Sequence, residues 1–408
     1  MFGKIIYMWM KGSLNHIWET RGQRKNKGTR RMEKSIMYTH RERQCLFMSN
    51  YEQRINLIDL NDYPVSWWNQ LLALAHEIRE DPEAYAKVCD GKIMGTLFYE
   101  PSTRTQMSFQ TAMLRLGGTI IGFDNPATSS VAKGENIKDT TKIVSGYADI
   151  MVMRHPTEGS VKAAALTADC PVINAGDGGH LHPTQTLTDL FTLKEEKGSL
   201  EGLTIGFCGD LKNGRTVHSL IKAMTCYKGS KFVLISTPDL ALPAYIKDIL
   251  AAGGFEYSEV SSLDEAISGL DVLYMTRIQQ ERFASHEEYL KQKGNYILDK
   301  DKMSRAKESM IVLHPLPRVD EIAIEVDDDP RAMYFKQAKY GMYIRMALIL
   351  TILRGNGTPA PLIRGREHKH VECSNPGCIT HRETYLPHYF AGSGDILTCE
   401  YCDNRTLI

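Results

Sequence analysis

Apolar residues follow two alternating patterns from about residue 55 onward. Helical periodicity covers residues 67–78, and a second amphipathic stretch begins after residues 101–105 and ends at Gly117. The short apolar runs between and after these stretches are typical of buried strands, and they cover residues 92–99, 119–123, 148–153 and 172–174. Strands that alternate with helices predict a parallel sheet with crossover connections.

A second series of the same kind follows. Its predicted strands cover residues 203–208, 231–235, 271–275 and 310–313, and its predicted helices cover 185–196, 244–252 and, strongly apolar, 338–353. The fold class is therefore α/β, with two tandem doubly wound parallel-sheet domains. We expect the first domain over residues 51–184, completed by a C-terminal helix over 336–358, and the second over 185–335. A small Cys-rich unit follows at 366–408.

Composition agrees with a folded protein of more than one domain. The 408 residues are 42% hydrophobic and 24% charged, a mixture that excludes a disordered chain. Lys plus Arg equals Asp plus Glu at 49 each, so no overall charge recruits nucleic acid or membrane. An apolar run of about 18 residues is lacking, which argues against a membrane span, and the N-terminus lacks the layout of a secretory signal.

Residues 1–50 differ from the rest of the chain. They contain 11 Lys and Arg against 3 Asp and Glu and show no sustained periodicity. We interpret them as a disordered basic extension, with a nucleic-acid-binding arm as the alternative.

The segment Pro-Ser-Thr-Arg-Thr at residues 101–105 stands where a strand ends and a helix begins. The N–H groups of a helix's first turn bind anions, and an arginine can grip phosphate with two hydrogen bonds. Simple N-capping by Ser or Thr is the alternative explanation. The chain has neither a Walker sequence nor the glycine spacing of a dinucleotide loop, so neither ATP nor NAD is predicted.

Two further polar groups follow predicted strands. Arg154 lies at a strand's carboxyl end, where open α/β sheets bind ligands, although a surface arginine is the alternative. His182 and Gln185 follow a glycine cluster at a predicted helix start, three residues apart, so they can face one point.

Four motifs occur in order: Ser-Thr-Arg-Thr at 102–105, Met-Arg-His-Pro at 153–156, His-Pro-Thr-Gln at 182–185 and His-Pro-Leu-Pro-Arg at 314–318. Together they resemble the carbamoyltransferases over residues 55–355. The His-Pro-Leu-Pro form and the segment Thr-Arg-Ile-Gln-Gln-Glu-Arg at 276–282 favour aspartate over ornithine as the acceptor. A carbamoyltransferase for another amine and a non-catalytic scaffolding homologue held by zinc are the alternatives.

The resemblance implies an enzyme of pyrimidine biosynthesis that joins carbamoyl phosphate to L-aspartate. The aspartate amine would attack directly, with electrostatic stabilisation of a tetrahedral intermediate. The carbamoyl phosphate site would comprise Ser102, Thr103, Arg104, Thr105, Ser129, Lys133, Arg154, His182, Gln185, Pro315 and Leu316. Within it the catalytic groups would be Arg104, Arg154 and His182, and the aspartate ligands would be Arg215, Arg277 and Gln279.

The same resemblance bears on assembly. Ser129 and Lys133 lie in a segment that reaches a neighbouring subunit's site in this family, which implies a homotrimer with shared active sites. Ala132 replaces the basic residue that relatives commonly carry before the lysine, so a second lysine contact is not expected.

Four of the nine cysteines lie at the C-terminal end as C-x4-C and C-x2-C pairs, Cys373 with Cys378 and Cys399 with Cys402. Four thiolates suit a structural zinc ion with no open coordination position, while disulfides or an iron site are the alternatives. Thiolate ligands and scattered single cysteines indicate a reducing compartment, hence a cytoplasmic protein. The unit resembles the zinc domain of carbamoyltransferase regulatory chains, without their nucleotide-binding half, and implies assembly beyond a trimer, such as two trimers face to face.

Overall fold

The computed structural model describes residues 54–278, 285, 287, 289, 292 and 296–408. The predicted basic extension at 1–50 lies outside the described residues. Among the described residues, no helix combines the length and the apolarity that crossing a lipid bilayer requires.

The first sheet has four parallel strands, as the alternating pattern predicted. In chain order they are β1 (Ile93–Phe98), β2 (Thr119–Phe123), β3 (Ile150–His155) and β4 (Val172–Asp177). Their order in the sheet is β2-β1-β3-β4. The strands β1, β3 and β4 are buried almost throughout because helices cover both faces, which explains their continuous apolar runs.

Four helices accompany this sheet. They are α1 (Val65–Glu80), α2 (Thr103–Arg115), α3 (Ile137–Ser145) and α4 (Ser160–Thr167). The helix α1 buries Trp67, Trp68, Leu71 and Leu72 at helical spacing, which explains the periodicity seen in the sequence.

The second sheet has five parallel strands in the order β7-β6-β5-β8-β9. They are β5 (Thr204–Cys208), β6 (Lys231–Ile235), β7 (Tyr257–Val260), β8 (Val272–Met275) and β9 (Ile311–Leu313). The described helices around it are α5 (Pro183–Lys197), α6 (Arg215–Met224), α7 (Ala244–Ala252), α8 (Leu263–Ala266) and α9 (Lys300–Arg305). The sequence did not predict β7, because this edge strand is half exposed and carries polar residues.

The last long helix, α10 (Tyr334–Leu353), returns from the second sheet to the first. It packs against α1, α2 and α5. Its interior positions are apolar almost all round, as expected of a helix surrounded by other helices. It begins before the predicted residue 336 and ends before the predicted residue 358.

Residues 366–408 form a small antiparallel sheet, which we call the metal unit. Its strands β10 (Arg366–Glu367), β11 (Tyr389–Ala391), β12 (Ile396–Cys399) and β13 (Arg405–Leu407) pair in chain order. Its buried Phe390, Leu397 and Tyr401 share one apolar cluster with Met151 of β3 and Val161 of α4. The metal unit is therefore docked on the first domain of the same chain.

Candidate active site

A cleft of about 470 Å³ lies where the carboxyl ends of strands from both sheets meet. Residues after β1 and β4 and at the end of β3 face residues after β5, β8 and β9 across it. Open parallel sheets bind ligands in this kind of crevice, because the loops after successive strands converge there.

The cleft brings together most of the residues that the sequence predicted. Five cationic or imidazole groups from distant parts of the chain line it, namely Arg104, Arg154, His182, Arg215 and Arg277. The remaining predicted residues in its lining are Ser102, Thr103, Thr105, Gln185, Pro315 and Leu316. No lining residue among those the structure describes is acidic. The cleft is therefore suited to anions.

The first turn of α2 provides one wall of the cleft. Ser102 stands at the N-cap position, but its hydroxyl caps no N–H group of the helix. The simple capping explanation therefore fails for Ser102, and its hydroxyl remains available beside the N–H groups of Thr103 and Arg104. Burial, together with the nearby charge of Arg154, lowers the pKa of Arg104. A bound anion would relieve this crowding of positive charge.

Arg154 and His182 meet at the centre of the cleft. The Nη2 atom of Arg154 pairs with Glu100 Oε1 at 2.7 Å, and its Nη1 atom lies 3.4 Å from both Ala175 O and His182 Nε2. Burial lowers the pKa of His182 well below its usual value, and Arg215 and Arg154 lower it further, so the imidazole is neutral. Within the described residues, Arg154 Nε and His182 Nδ1 are buried without a hydrogen-bond partner. Such unpaired polar atoms indicate a ligand.

Gln185 is held by a buried carboxylate. Its Nε2 atom donates to Asp189 Oδ1 at 2.7 Å, which leaves its Oε1 atom as the acceptor for a ligand. Gln337 Nε2 donates to the same oxygen at 2.7 Å, and Tyr274 donates to Asp189 Oδ2 at 3.0 Å. Burial raises the pKa of Asp189 to about 7 despite these three donors.

The predicted carbonyl ligands lie in a fixed turn after β9. His314 Nδ1 accepts from the Leu316 N–H at 2.7 Å, so its Nε2 atom carries the proton and donates to Glu321 Oε1 at 2.7 Å. Leu316 has φ of 53°, a left-handed conformation that is uncommon for leucine. The buried His314–Glu321 pair thus holds the backbone of Pro315 and Leu316 at the cleft.

Two of the three predicted aspartate ligands lie among the described residues. Arg215 stands at the start of α6 and donates to the carbonyl of Gly178, and Arg277 lies in the loop after β8. Gln279 lies outside the described residues.

Ser129 and Lys133 do not line the cleft of their own chain. Both lie between β2 and α3. Lys133 ends the 3-10 turn Ser130–Lys133, and Ser129 lies between this turn and the preceding one, Pro126–Thr128. The Ser129 hydroxyl donates to Pro126 O at 2.8 Å. Their contribution to a neighbouring subunit's site stays a prediction.

Sequence reasoning missed Arg345, which lines the cleft from within α10. It is almost wholly buried, donates to Ser108 Oγ at 3.1 Å and lies over the Phe109 ring at 5.0 Å. Gly341 provides its space, since a Cβ there would lie 2.4 Å from the guanidinium. A lone arginine in an otherwise apolar stretch was the available signal.

The four predicted metal ligands come together in the metal unit. Cys373, Cys378, Cys399 and Cys402 are buried, and their sulfur atoms all lie within 4.8 Å of one another. Two of these separations are 3.5 Å and 3.8 Å. A tetrahedral zinc ion with Zn–S bonds of about 2.3 Å separates its sulfurs by about 3.8 Å. The arrangement therefore fits a tetrahedral metal ion with no open position.

Comparison with protein families accounts for nearly all of the described chain. Residues 56–195 match the carbamoyl-P binding domain of aspartate/ornithine carbamoyltransferases, and residues 201–352 match their Asp/Orn binding domain. Residues 366–406 match the metal binding domain of the aspartate carbamoyltransferase regulatory chain.

Individual relatives agree with these matches. The chain is 59% identical over 299 residues to the aspartate carbamoyltransferase catalytic subunit of Clostridium perfringens strain SM101, covering 73% of this chain and 97% of the relative. The catalytic subunit from M. jannaschii superposes with a TM-score of 0.70 at 45% identity, over 74% of this chain and 98% of that one. The Trypanosoma cruzi enzyme, solved with N-(phosphonacetyl)-L-aspartic acid, gives 0.69 at 38% identity, over 74% and 96%.

Proposed function

Because the chain belongs to the aspartate/ornithine carbamoyltransferase family, we propose that it transfers the carbamoyl group of carbamoyl phosphate to L-aspartate. The products are N-carbamoyl-L-aspartate and phosphate, a step of pyrimidine biosynthesis. The observation that carries this proposal is the convergence of Arg104, Arg154, His182, Arg215 and Arg277 on one cleft without an acidic lining residue among those described. Both substrates are anions, and such a lining stabilises both.

The phosphate of carbamoyl phosphate binds at the start of α2. Ser102, Thr103 and Thr105 offer hydroxyl groups there, and Arg104 offers a guanidinium beside the first-turn N–H groups. Charge-assisted hydrogen bonds to phosphate are about twice as strong as neutral ones, so this wall supplies much of the affinity.

The carbamoyl group lies between Arg154, His182 and Gln185. The unpaired Arg154 Nε and His182 Nδ1 atoms support this placement, since both can donate to the carbonyl oxygen. The free Gln185 Oε1 and the carbonyls of Pro315 and Leu316 accept from the carbamoyl amide. Groups of opposite hydrogen-bonding character thereby orient the reacting carbon.

The reaction is a direct acyl transfer. The deprotonated amine of aspartate attacks the carbamoyl carbon and a tetrahedral intermediate forms. The bond between this carbon and the phosphate oxygen then breaks, and the leaving phosphate accepts the proton that the attacking nitrogen loses. Negative charge grows on the carbonyl oxygen, where Arg154 and neutral His182 stabilise it, and Arg104 stabilises the leaving phosphate. Losing one such donor costs a factor of about 10² to 10³ in kcat.

The lack of an acidic side chain among the described lining residues also supports aspartate as the acceptor. Arg215 and Arg277 suit the two carboxylates of aspartate, together with Gln279. Ornithine carries an ammonium group besides the amine that reacts, and a cationic lining repels it.

A colorimetric assay tests this function with aspartate and ornithine as competing acceptors. We expect carbamoyl aspartate and no citrulline, with Arg154→Ala lowering kcat at least 100-fold. Citrulline formation would establish the alternative acceptor. Lack of turnover together with failure to bind N-(phosphonacetyl)-L-aspartate would establish the scaffolding alternative.

We also propose that the enzyme is at least a homotrimer with shared active sites, and that the metal unit supports a dimer of trimers. The exclusion of Ser129 and Lys133 from their own cleft supports sharing. Mixing inactive Lys133→Ala and Arg154→Ala chains should restore activity, because some mixed sites then contain neither substitution. Mixtures as inactive as either parent would contradict shared sites.

The metal in this proposal is zinc, supported by the tetrahedral spacing of four thiols. Zinc would supply no chemistry to the cleft and would hold the metal unit folded. Thiol ligands also support a cytoplasmic location, since reducing compartments preserve them. The proposed domains are 51–184 with 336–358, 185–335 and 366–408.

A further inference from the structure

The loop between β4 and α5 places three groups of the cleft. His182 lies in the loop itself, immediately before α5. Arg154 Nη1 lies 3.4 Å from His182 Nε2, and the carbonyl of Gly178 accepts from Arg215. A shift of this loop therefore displaces Arg154, His182 and Arg215 together.

The buried side chain of Asp177 fixes the start of this loop through hydrogen bonds. Its carboxylate is almost fully buried and accepts from the Gly159 N–H at 2.9 Å, the Leu181 N–H at 3.1 Å and Asn174 Nδ2 at 3.2 Å. Four partners, counting His180, thus fix one carboxylate at the end of β4.

His180 connects this carboxylate to the metal unit. Its Nδ1 atom lies 3.1 Å from Asp177 Oδ2, and its Nε2 atom lies 3.0 Å from Asp403 Oδ2. An imidazolium that donates from both nitrogens suits this position between two carboxylates. Asp403 directly follows the metal ligand Cys402 and has φ of 58°, in the left-handed region. His180 therefore connects Asp403, next to the metal ligand Cys402, with Asp177 at the start of the loop between β4 and α5.

A second contact fixes the other side of the same loop. Asn375 of the metal unit donates to Glu158 Oε2 at 2.6 Å, and the Ile379 N–H donates to Glu158 O at 2.9 Å. Glu158 in turn packs against Gly178, where a Cβ would lie 2.9 Å from the Glu158 Cγ atom. The metal unit thus contacts the loop at two places, directly at His180 and, through Glu158, at Gly178.

We propose that His180 is a positioning residue for the transfer reaction, through which Asp403 of the metal unit holds the loop that places Arg154, His182 and Arg215. This inference rests on the proposed function, since it concerns the same cleft. It assigns to the metal unit an effect on the chemistry of its own chain, in addition to its part in assembly.

Two substitutions at one position provide the central test. Asp403→Gly removes the carboxylate without straining the backbone, because glycine accepts a positive φ. Asp403→Asn keeps an acceptor oxygen at a residue that also tolerates this conformation. We expect Asp403→Gly to lower kcat at saturating substrates about tenfold, the scale of one lost hydrogen bond between charged groups. The Kd of N-(phosphonacetyl)-L-aspartate should rise by a similar factor, and Asp403→Asn should restore both values.

His180→Ala provides the test from outside the metal unit. It should reproduce the loss, and the double variant with Asp403→Gly should be no worse than either single variant, because one link is broken in each. Metal content is measured for every variant, and if Asp403→Gly loses its ion, His180→Ala decides alone.

The matched control is Lys162→Met. Lys162 of α4 donates to the backbone carbonyl and the carboxylate of Glu400 in the metal unit, and neither of these hydrogen bonds involves the loop between β4 and α5. It should lower the melting temperature and leave kcat unchanged. The inference is overturned if His180→Ala retains kcat within about twofold of the original enzyme, or if Lys162→Met loses as much as His180→Ala. An original enzyme that neither turns over nor binds the analogue would instead overturn the proposed function.

Discussion

Replacing Arg345 by methionine should stabilise the free enzyme and weaken its hold on anions. Burial lowers the pKa of Arg345 from its usual 12.5 to about 10, with Asp189 opposing the shift. The folded state therefore binds this proton less tightly than the unfolded chain does, so the charged form disfavours folding at neutral pH. One pKa unit corresponds to about 1.4 kcal/mol, which makes the cost about 3 kcal/mol.

The lost contacts offset part of that gain. The hydrogen bond to Ser108 and the position over the Phe109 ring contribute about 1 kcal/mol each. Methionine has a flexible apolar side chain of similar length, so it leaves little cavity. Arg345→Met should therefore raise the free energy of unfolding by about 1 kcal/mol, while Arg345→Lys, which keeps a buried charge, should not.

Urea denaturation of the ligand-free enzyme measures the first effect, and calorimetric titration with inorganic phosphate measures the second. We expect the Kd of phosphate to rise at least tenfold in Arg345→Met, since a buried guanidinium of the lining is lost. The reasoning is refuted if the variant is less stable by more than about 2 kcal/mol and binds phosphate as before.

Three further predictions concern the fold and the metal unit. Burial lowers the pKa of His155 to about 4, below its usual 6.5, so the unfolded chain takes up this proton first. The free energy of unfolding should therefore fall by up to about 3 kcal/mol between pH 6.5 and 4, as measured by urea denaturation at a series of pH values. A His155→Asn variant whose free energy of unfolding falls as steeply with pH would contradict this. Mass spectrometry under native conditions should find one zinc ion per chain, and chelation should make residues 366–408 sensitive to protease; an intact unit after metal loss would refute the structural role. Gly159→Ala places a Cβ 2.6 Å from that of Tyr401 at φ of 82°, so limited proteolysis should show an undocked metal unit; unchanged resistance would refute close docking.

The strands were predictable where the segment is mostly apolar. The segments at β1, β3, β5, β6 and β8 are continuous apolar runs because helices cover both faces of each sheet. The edge strand β7 was missed, since no residue of Tyr257–Val260 is fully buried and Ser258 and Glu259 interrupt the apolar run. The edge strand β2 is also mostly exposed, yet it was predicted because Thr119–Phe123 is largely apolar. Local pattern therefore reports apolar composition rather than strand pairing.

The candidate site was predictable where ligand chemistry is local in the sequence. Ser102–Thr105 and His182 follow strand ends and Arg154 lies in the last residues of a strand, and the topology of parallel sheets brings such positions together. The sequence could not predict the position of Arg345 in the cleft or the pairing of His180 with Asp403. Both depend on contacts between segments more than 200 residues apart. Periodicity shows that α10 is buried, and it does not show which cleft its one central arginine reaches.

The docked metal unit belongs to the same polypeptide as the cleft it touches, joined through residues 354–365. A covalent tether of this length keeps the two surfaces at an effective concentration of the order of millimolar, whatever the amount of protein in solution. Dilution, which separates associated subunits, leaves this contact unchanged. Every chain that is translated also carries its own unit, so the ratio of metal units to catalytic clefts is fixed at one without any matching of expression levels.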